Sequence, residues 1–187
     1  MSLGHITNQE DFTEGIPNYL TRLDIACGNN KREGFKGIDI GIGTQADIVA
    51  DLNIYPWDIE NESCFELNCS HFIEHVKNIK SFMEECYRIL IPKGTMRIAA
   101  PYYTAIGAWQ DFTHVRAISE NTFLYFSQDW LKTAGLEHYD INCNFKVEST
   151  RYFFNPEWAT RSEEAKEWAR KHYHNAVLDI EVILRRL

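Results

Sequence analysis

The strongest constraint in this sequence is a series of short apolar runs, most of them shut off by a small residue, an acid or a proline. Leu20–Ala26 leads into Gly28-Asn29-Asn30, Phe35–Ile40 into Gly41-Ile42-Gly43, Ala46–Ala50 into Asp51, and Thr95–Ala100 into Pro101; Phe65–Ser70 lies between the last two. Runs this short and rich in Ile, Leu and Val read as strands buried on both faces, the pattern of a parallel sheet. Before the last run, Ile79, Phe82, Met83, Cys86, Tyr87 and Leu90 recur at steps of three and four, one face of a helix that Pro92-Lys93-Gly94 ends. Ser119–Ala134 predicts a second helix, with Ser119 at its N-cap and Gly135 just past its end. Phe145–Phe154 alternates like a strand, and Ser162–His174 predicts a helix capped by Ser162. Val177–Leu184 fits either a helix or a strand, and its alternation favours a closing strand. Parallel strands followed by an antiparallel end pair make a three-layer α/β domain. Ligands in such sheets sit beyond the carboxyl ends of the strands, so function is expected just after the apolar runs.

The 187 residues fit one domain, 1–187, with about 1–18 as a lead-in. A formal charge of −8 argues against nucleic acid as the main partner, because phosphate binding needs a basic surface. The late basic residues Arg161, Lys166, Arg170, Lys171, Arg185 and Arg186 are interleaved with acids and read as a solvated helix face. No run of about 18 apolar residues exists to span a membrane, and the opening Met1-Ser2-Leu3-Gly4-His5 does not read as a signal peptide. The five cysteines, odd in number and without a C-x-x-C, suggest neither a disulfide framework nor a thiolate zinc site. The expectation is a cytoplasmic monomer or homodimer acting on a small molecule.

The motif Leu23-Asp24-Ile25-Ala26-Cys27-Gly28-Asn29-Asn30 ends a strand in small residues, and Gly28 lets a ligand approach the backbone closely. A dinucleotide site would need G-x-G-x-x-G running into a helix that holds the pyrophosphate. Only Gly28 and Gly34 are present, and the next strand begins too soon for that helix. A carboxylate at Asp39, closing the second strand, can take both hydroxyls of a ribose, or can simply face water. Asp51, closing the third, could meet an adenine amino group with Leu52 over the ring.

L-D-x-x-C-G, G-x-D-I, A-D-L, S-H-x-x-E-H, Y-R-I-L-x-P-K-G-T and R-I-A-x-P follow one another in this order. In this ordered set the chain resembles the class I S-adenosylmethionine-dependent methyltransferases, specifically a type 11-like methyltransferase domain, over about residues 20–135. The resemblance implies a Rossmann-like, mostly parallel seven-stranded sheet with an antiparallel last strand. It implies S-adenosylmethionine as cofactor and S-adenosylhomocysteine as product. Asp24, Ala26, Cys27, Gly28 and Asn29 would surround the methionine part, Asp39 and Ile40 the ribose, Asp51 and Leu52 the adenine, and Ser70 and His71 the sulfonium. Three departures stand out: Ala26 replaces the family's usual first glycine, Asn30 stands where many members keep another glycine, and the first crossover helix is nearly absent.

His71-Phe72-Ile73-Glu74-His75 is also a zinc-peptidase pattern, H-x-x-E-H. That reading wants the motif inside a long helix with a third ligand downstream. Here it follows a buried strand, so a loop lining the cofactor pocket is expected, with Glu74 and His75 shaping it by hydrogen bonds and no metal. Residues 102–130 are expected to form a lid over the acceptor, with Tyr102, Tyr103, Trp109, Asp111 and Arg116 as contacts; Asp-x-x-His-x-Arg also resembles a D-P-T-H-x-R segment of the same group. His114 is the first choice for a general base and His71 the second. The function expected is methyl transfer to an oxygen or nitrogen; the alternatives are a cofactor-binding module without catalysis and a zinc hydrolase using His71, Glu74 and His75.

Overall fold

The computed structural model describes residues 21–187; the lead-in and Leu20, where the first apolar run opens, lie outside them. In chain order the strands are β1 (Thr21–Ile25), β2 (Lys36–Asp39), β3 (Ile48–Val49), β4 (Cys64–Ser70), β5 (Leu90–Pro101), β6 (Phe145–Phe154) and β7 (Val177–Arg186). The helices are α1 (Ile79–Ile89), α2 (Gly107–Gln110), α3 (Gln128–Ala134), α4 (Pro156–Ala159) and α5 (Glu163–His172). The strands form one seven-stranded sheet in the order β3-β2-β1-β4-β5-β7-β6. β1 to β5 pair in parallel, while β7 runs antiparallel to both β5 and β6. This is the α/β architecture that the resemblance implies, and the VLDIEVIL segment is its closing strand rather than a helix. Among the described residues no helix is long and apolar enough to cross a membrane.

The apolar side chains alternate with period 2 and line up across the sheet. Leu23 pairs with Leu67, Leu67 with Met96 and Met96 with Leu184; one step on, Ile25, Cys69, Ile98 and Val182 form a second row. All eight are buried in one cluster with Phe82, Met83, Cys86 and Ile89 of α1. Leu52 and Trp57, from the irregular segment between β3 and β4, close the same cluster, Trp57 standing edge-on to Phe82.

The opposite face is buried at its centre too, as expected, with Asp24 3% and Asn68 5% exposed, but there it is polar rather than apolar. Asp24, Asn68 and Arg97 occupy successive paired positions, with Glu181 one step further along β7. Asp24 Oδ1 accepts from Asn68 Nδ2, Asn68 Oδ1 accepts from Arg97 Nη1 at 2.8 Å, and Arg97 Nε donates to Glu181 at 2.8 Å. Right-handed crossovers from β1 to β2 to β3 would lay helices on this face. Residues 26–35 and 40–47 hold none, as the short spacing in the sequence predicts. The hydrogen-bonded polar row satisfies the buried polar groups there.

Other boundaries differ from expectation. The predicted helix 119–134 is two pieces: a 3-10 turn, Glu120–Phe126, and then α3, whose first turn is capped by the Ser127 hydroxyl accepting from Trp130 N. Gly135, at φ +68°, ends it in the left-handed conformation as expected. Pro92-Lys93-Gly94 lies inside β5 as a bulge rather than after the helix: Cys64 pairs with Leu90, but Glu66 already pairs with Thr95.

Candidate functional site

The carboxyl ends of β1, β2, β4 and β5 form one rim, because Ile25 pairs with Ile38 and Cys69, and Ser70 with Ala99. At its left part the chain reverses sharply after β1. Ala26 takes φ +55° and Gly28 φ +51°. Ala26, which stands where the family that the sequence resembles usually has glycine, thus occupies a position that needs the left-handed region, where glycine is the unstrained residue. The Gly28 N–H donates to Asp39 Oδ2 at 2.9 Å and the Gly41 N–H to Oδ1 at 2.7 Å, so the turn after β1 and the end of β2 are tied through one carboxylate. Asp24 lies beneath, 3% exposed, accepting from the Arg32 N–H at 2.7 Å as well as from Asn68. Cys27 is buried, and burial together with Asp24 and Asp39 raises its thiol pKa above the usual value. Gly37 is required below it, since a Cβ there would stand 2.6 Å from Cys27 Sγ. Asn29 and Ile40 are exposed. Asp51 is exposed too, its Oδ1 accepting from Asn53 N at 2.9 Å, while Leu52 belongs to the core.

The right part of the rim opens into a cavity of about 390 Å³, lined by His71, Glu74, His75, Pro101, Ala105, Gly107, Gln110, Asp111, His114, Leu178 and Asp179. His71, at φ +53°, directly follows β4, and its N–H donates to Ala99 O at 2.8 Å. Its Nδ1 lies 3.7 Å from Glu74 Oε1, a charge attraction rather than a hydrogen bond. The Glu74 carboxylate raises the His71 pKa above its usual value, against the opposing effect of burial. Asp179, reaching in from β7, is raised by its own burial.

His114 and His71, the expected bases, both line this cavity, and so does Asp111. The other expected acceptor contacts do not. Tyr102 is 1% exposed and points into the core, its hydroxyl donating to Glu120 Oε2 at 3.0 Å. The reason is strand alternation: Pro101 faces the cavity, so its neighbour faces away. Arg116 donates to the carbonyls of Ile73, Val76 and Lys77, which makes it a clamp on the 73–77 loop. Tyr103 and Trp109 are exposed, with the Trp109 indole N–H on Tyr103 O. Glu74 does not shape its loop through side-chain hydrogen bonds: it is 2% exposed and neither carboxylate oxygen has a hydrogen-bond partner among the described residues. Sequence reasoning missed Gln110 and Asp179; Asp179 carried no signal, because only the antiparallel pairing of β7 with β5 brings it to Pro101.

No protein-family model matches the chain, and no curated protein does. Solved structures do match. A SAM-dependent methyltransferase from Archaeoglobus fulgidus is 19% identical, with 89% of this chain and 86% of that one covered and a TM-score of 0.62. An S-adenosylmethionine-dependent methyltransferase from Mesorhizobium loti is 16% identical, with 91% and 94% covered and a TM-score of 0.54. The (4+2)-cyclase SpnF is 14% identical, with 89% and 74% covered and a TM-score of 0.55. The chain has the fold of the class I S-adenosylmethionine-dependent methyltransferases, a fold that also carries a cyclase.

Proposed function

We propose that the chain transfers the methyl group of S-adenosylmethionine to an oxygen or nitrogen of a small molecule bound in the cavity at His71 and His114. The observation that carries this reading is adjacency. The Gly28–Asp39 turn and the histidine-lined cavity share one rim, at the position where this fold accommodates ligands.

The turn suits the cofactor on two counts. A Cβ built on Gly28 would meet none of the described residues within 4 Å, which leaves room over it for a ligand. Asp39 is fixed by two backbone N–H groups, and each oxygen keeps a second lone pair for a ribose hydroxyl. Ile40, 63% exposed, offers apolar surface to the nucleoside. Bound there, the cofactor supplies an electrophilic methyl group; the chain's part is to align the acceptor, exclude water and handle its proton. His114 is the better base. Its Nδ1 lies 3.1 Å from Ala108 O, which can only accept, so Nδ1 carries the proton and Nε2 keeps its lone pair. His71, biased toward imidazolium by Glu74, suits charge stabilisation instead.

Calorimetric titration with S-adenosylmethionine and S-adenosylhomocysteine tests the reading. Both are expected to bind, and Asp39→Ala to weaken both by about tenfold or more, one charge-assisted hydrogen bond being worth about 1.5–3 kcal/mol; absence of binding to both removes the proposal. A cofactor-binding module without methyl transfer is the second reading, favoured by the strained Ala26 and the missing crossover helix. Turnover against a metabolite library separates the two.

A further inference from the structure

We infer a divalent metal site in the wall of this cavity, formed by Glu74, His75 and His114. One donor atom from each lies within 4.8 Å of the other two. Closing by up to about 1.5 Å would bring them to the roughly 3.4 Å spacing of tetrahedral ligands around one first-row ion, whose bonds are about 2.0–2.2 Å.

The carboxylate is the first argument. Glu74 is 2% exposed, neither oxygen has a hydrogen-bond partner among the described residues, and the His71 ring stands 3.7 Å away. A buried carboxylate left in that state is unfavourable until a cation completes it. The second argument is the state of the two rings. In His114 the Nδ1–H is held by a carbonyl, which leaves Nε2 with its lone pair. For His75 the same result follows by a longer route. The Thr113 hydroxyl gives its proton to Asp111 Oδ1 at 2.6 Å, so at 2.9 Å it must accept from His75 Nδ1–H, and again Nε2 is free. A ring N–H donating to a carbonyl or to a carboxylate-backed group is how metal-bound histidines are oriented. The third is rigidity: Arg116 clamps the 73–77 loop, and Val115 N donates to Glu74 O at 2.9 Å, joining the two loops that carry the ligands.

The H-x-x-E-H motif thus enters in a form its spacing did not suggest. His114 replaces His71 as the third residue, and no long helix is needed. Two imidazole nitrogens and one carboxylate oxygen suit Zn²⁺, Fe²⁺ or Mn²⁺ better than Ca²⁺ or Mg²⁺. Three protein ligands leave coordination positions open toward the cavity, the arrangement of reactive rather than structural sites. Ion binding itself does not depend on the cofactor reading. What the ion would do for the methyl acceptor does rest on it: an acceptor oxygen held by the ion would be acidified and could pass its proton to solvent without His114, whose Nε2 would then be occupied.

The test is calorimetric titration of the chelator-stripped full chain with Zn²⁺ and, separately, Mn²⁺. One ion per chain is expected for at least one of the two. Glu74→Gln and His114→Asn should each lower the affinity about 100-fold or more, while His172→Asn, at an exposed histidine, leaves it unchanged. Glu74→Gln should also raise the melting temperature of the metal-free protein, because it removes a buried charge that no hydrogen bond among the described residues satisfies and that faces only the His71 ring, 3.7 Å away; a merely loop-shaping Glu74 would give a lower one. The inference is overturned if neither ion binds stoichiometrically, or if binding survives both Glu74→Gln and His114→Asn. Titration with S-adenosylhomocysteine on the same preparations keeps the two ideas apart, since loss of either binding leaves the other standing.

Discussion

At the scale of single residues, the rim is built from two side-chain-bearing residues in a conformation that favours glycine. Ala26 and His71 both take φ above +50° directly after strands, where the chain must turn at once to stay on the rim. The left-handed region costs an L-residue about 1–2 kcal/mol, of which glycine's greater unfolded-state freedom offsets about 0.4–1. Ala26→Gly is therefore expected to stabilise the protein by roughly 0.5 kcal/mol, read from urea unfolding. The sequence made Ala26 visible as an anomaly against the family pattern, and the strain is its physical content. Side-chain direction was less legible. Tyr102 looked like an acceptor contact because aromatic residues cluster after Pro101, but register decided otherwise. Tyr102→Phe should cost about 1 kcal/mol by removing a partner of Glu120 and Arg170, and leave S-adenosylhomocysteine affinity unchanged.

At the scale of elements, the existence of each strand was legible and its ends were not. Apolar alternation marks the middle of β5, yet its bulge depends on Lys93 entering the left-handed region, at φ +68°, while pairing continues on either side. The break at Ser127 follows from competition. Gln128 donates its N–H to Asn144 and its side-chain amide to Ile141 and Cys143 O, bonds from beyond the helix that no local pattern announces. The loops around β2 show the same dependence on distant partners. A Cβ on Gly37 would collide with Cys27 Sγ at 2.6 Å and Lys31 Cδ at 2.8 Å, so Gly37→Ala should cost about 1–3 kcal/mol and weaken S-adenosylhomocysteine binding by displacing the Gly28 turn. Cys27→Ala in the same chain should recover part of both losses. Asp47 holds these loops from outside, accepting from Gly37 N–H at 2.7 Å and Lys31 Nζ at 2.9 Å, and those bonds lower its pKa below the usual value. A depressed carboxylate contributes stability that is present above its unfolded pKa, about 3.9, and lost as pH falls through the lower folded value. The stability gap between wild type and Asp47→Asn should accordingly be widest near neutrality and close progressively below about pH 4.

At the scale of the molecule, the sheet is lopsided, and the polar row is what lets it be so. With the crossovers after β1 and β2 reduced to loops, the face they would cover must hold itself together, and an apolar surface of that extent would invite association. The chain instead places Asp24, Asn68 and Arg97 in register, each residue in a different strand and each hydrogen-bonded to the next. None of this is legible from any one apolar run, because a single Asp, Asn or Arg within a run reads only as a weakened strand; the row exists only once pairing aligns the three. Its energetics follow from Asp24 being almost wholly buried. Asn68→Leu leaves that carboxylate with the Arg32 N–H as its remaining partner and should destabilise the protein by about 2–4 kcal/mol. Asp24→Leu with Asn68→Leu removes the stranded charge together with its partner and should cost less than Asn68→Leu alone. Chemical denaturation of the two variants measures the difference. If the double variant proves the less stable one, the row contributes more than mutual satisfaction of its members, and this face must be held by the charges themselves.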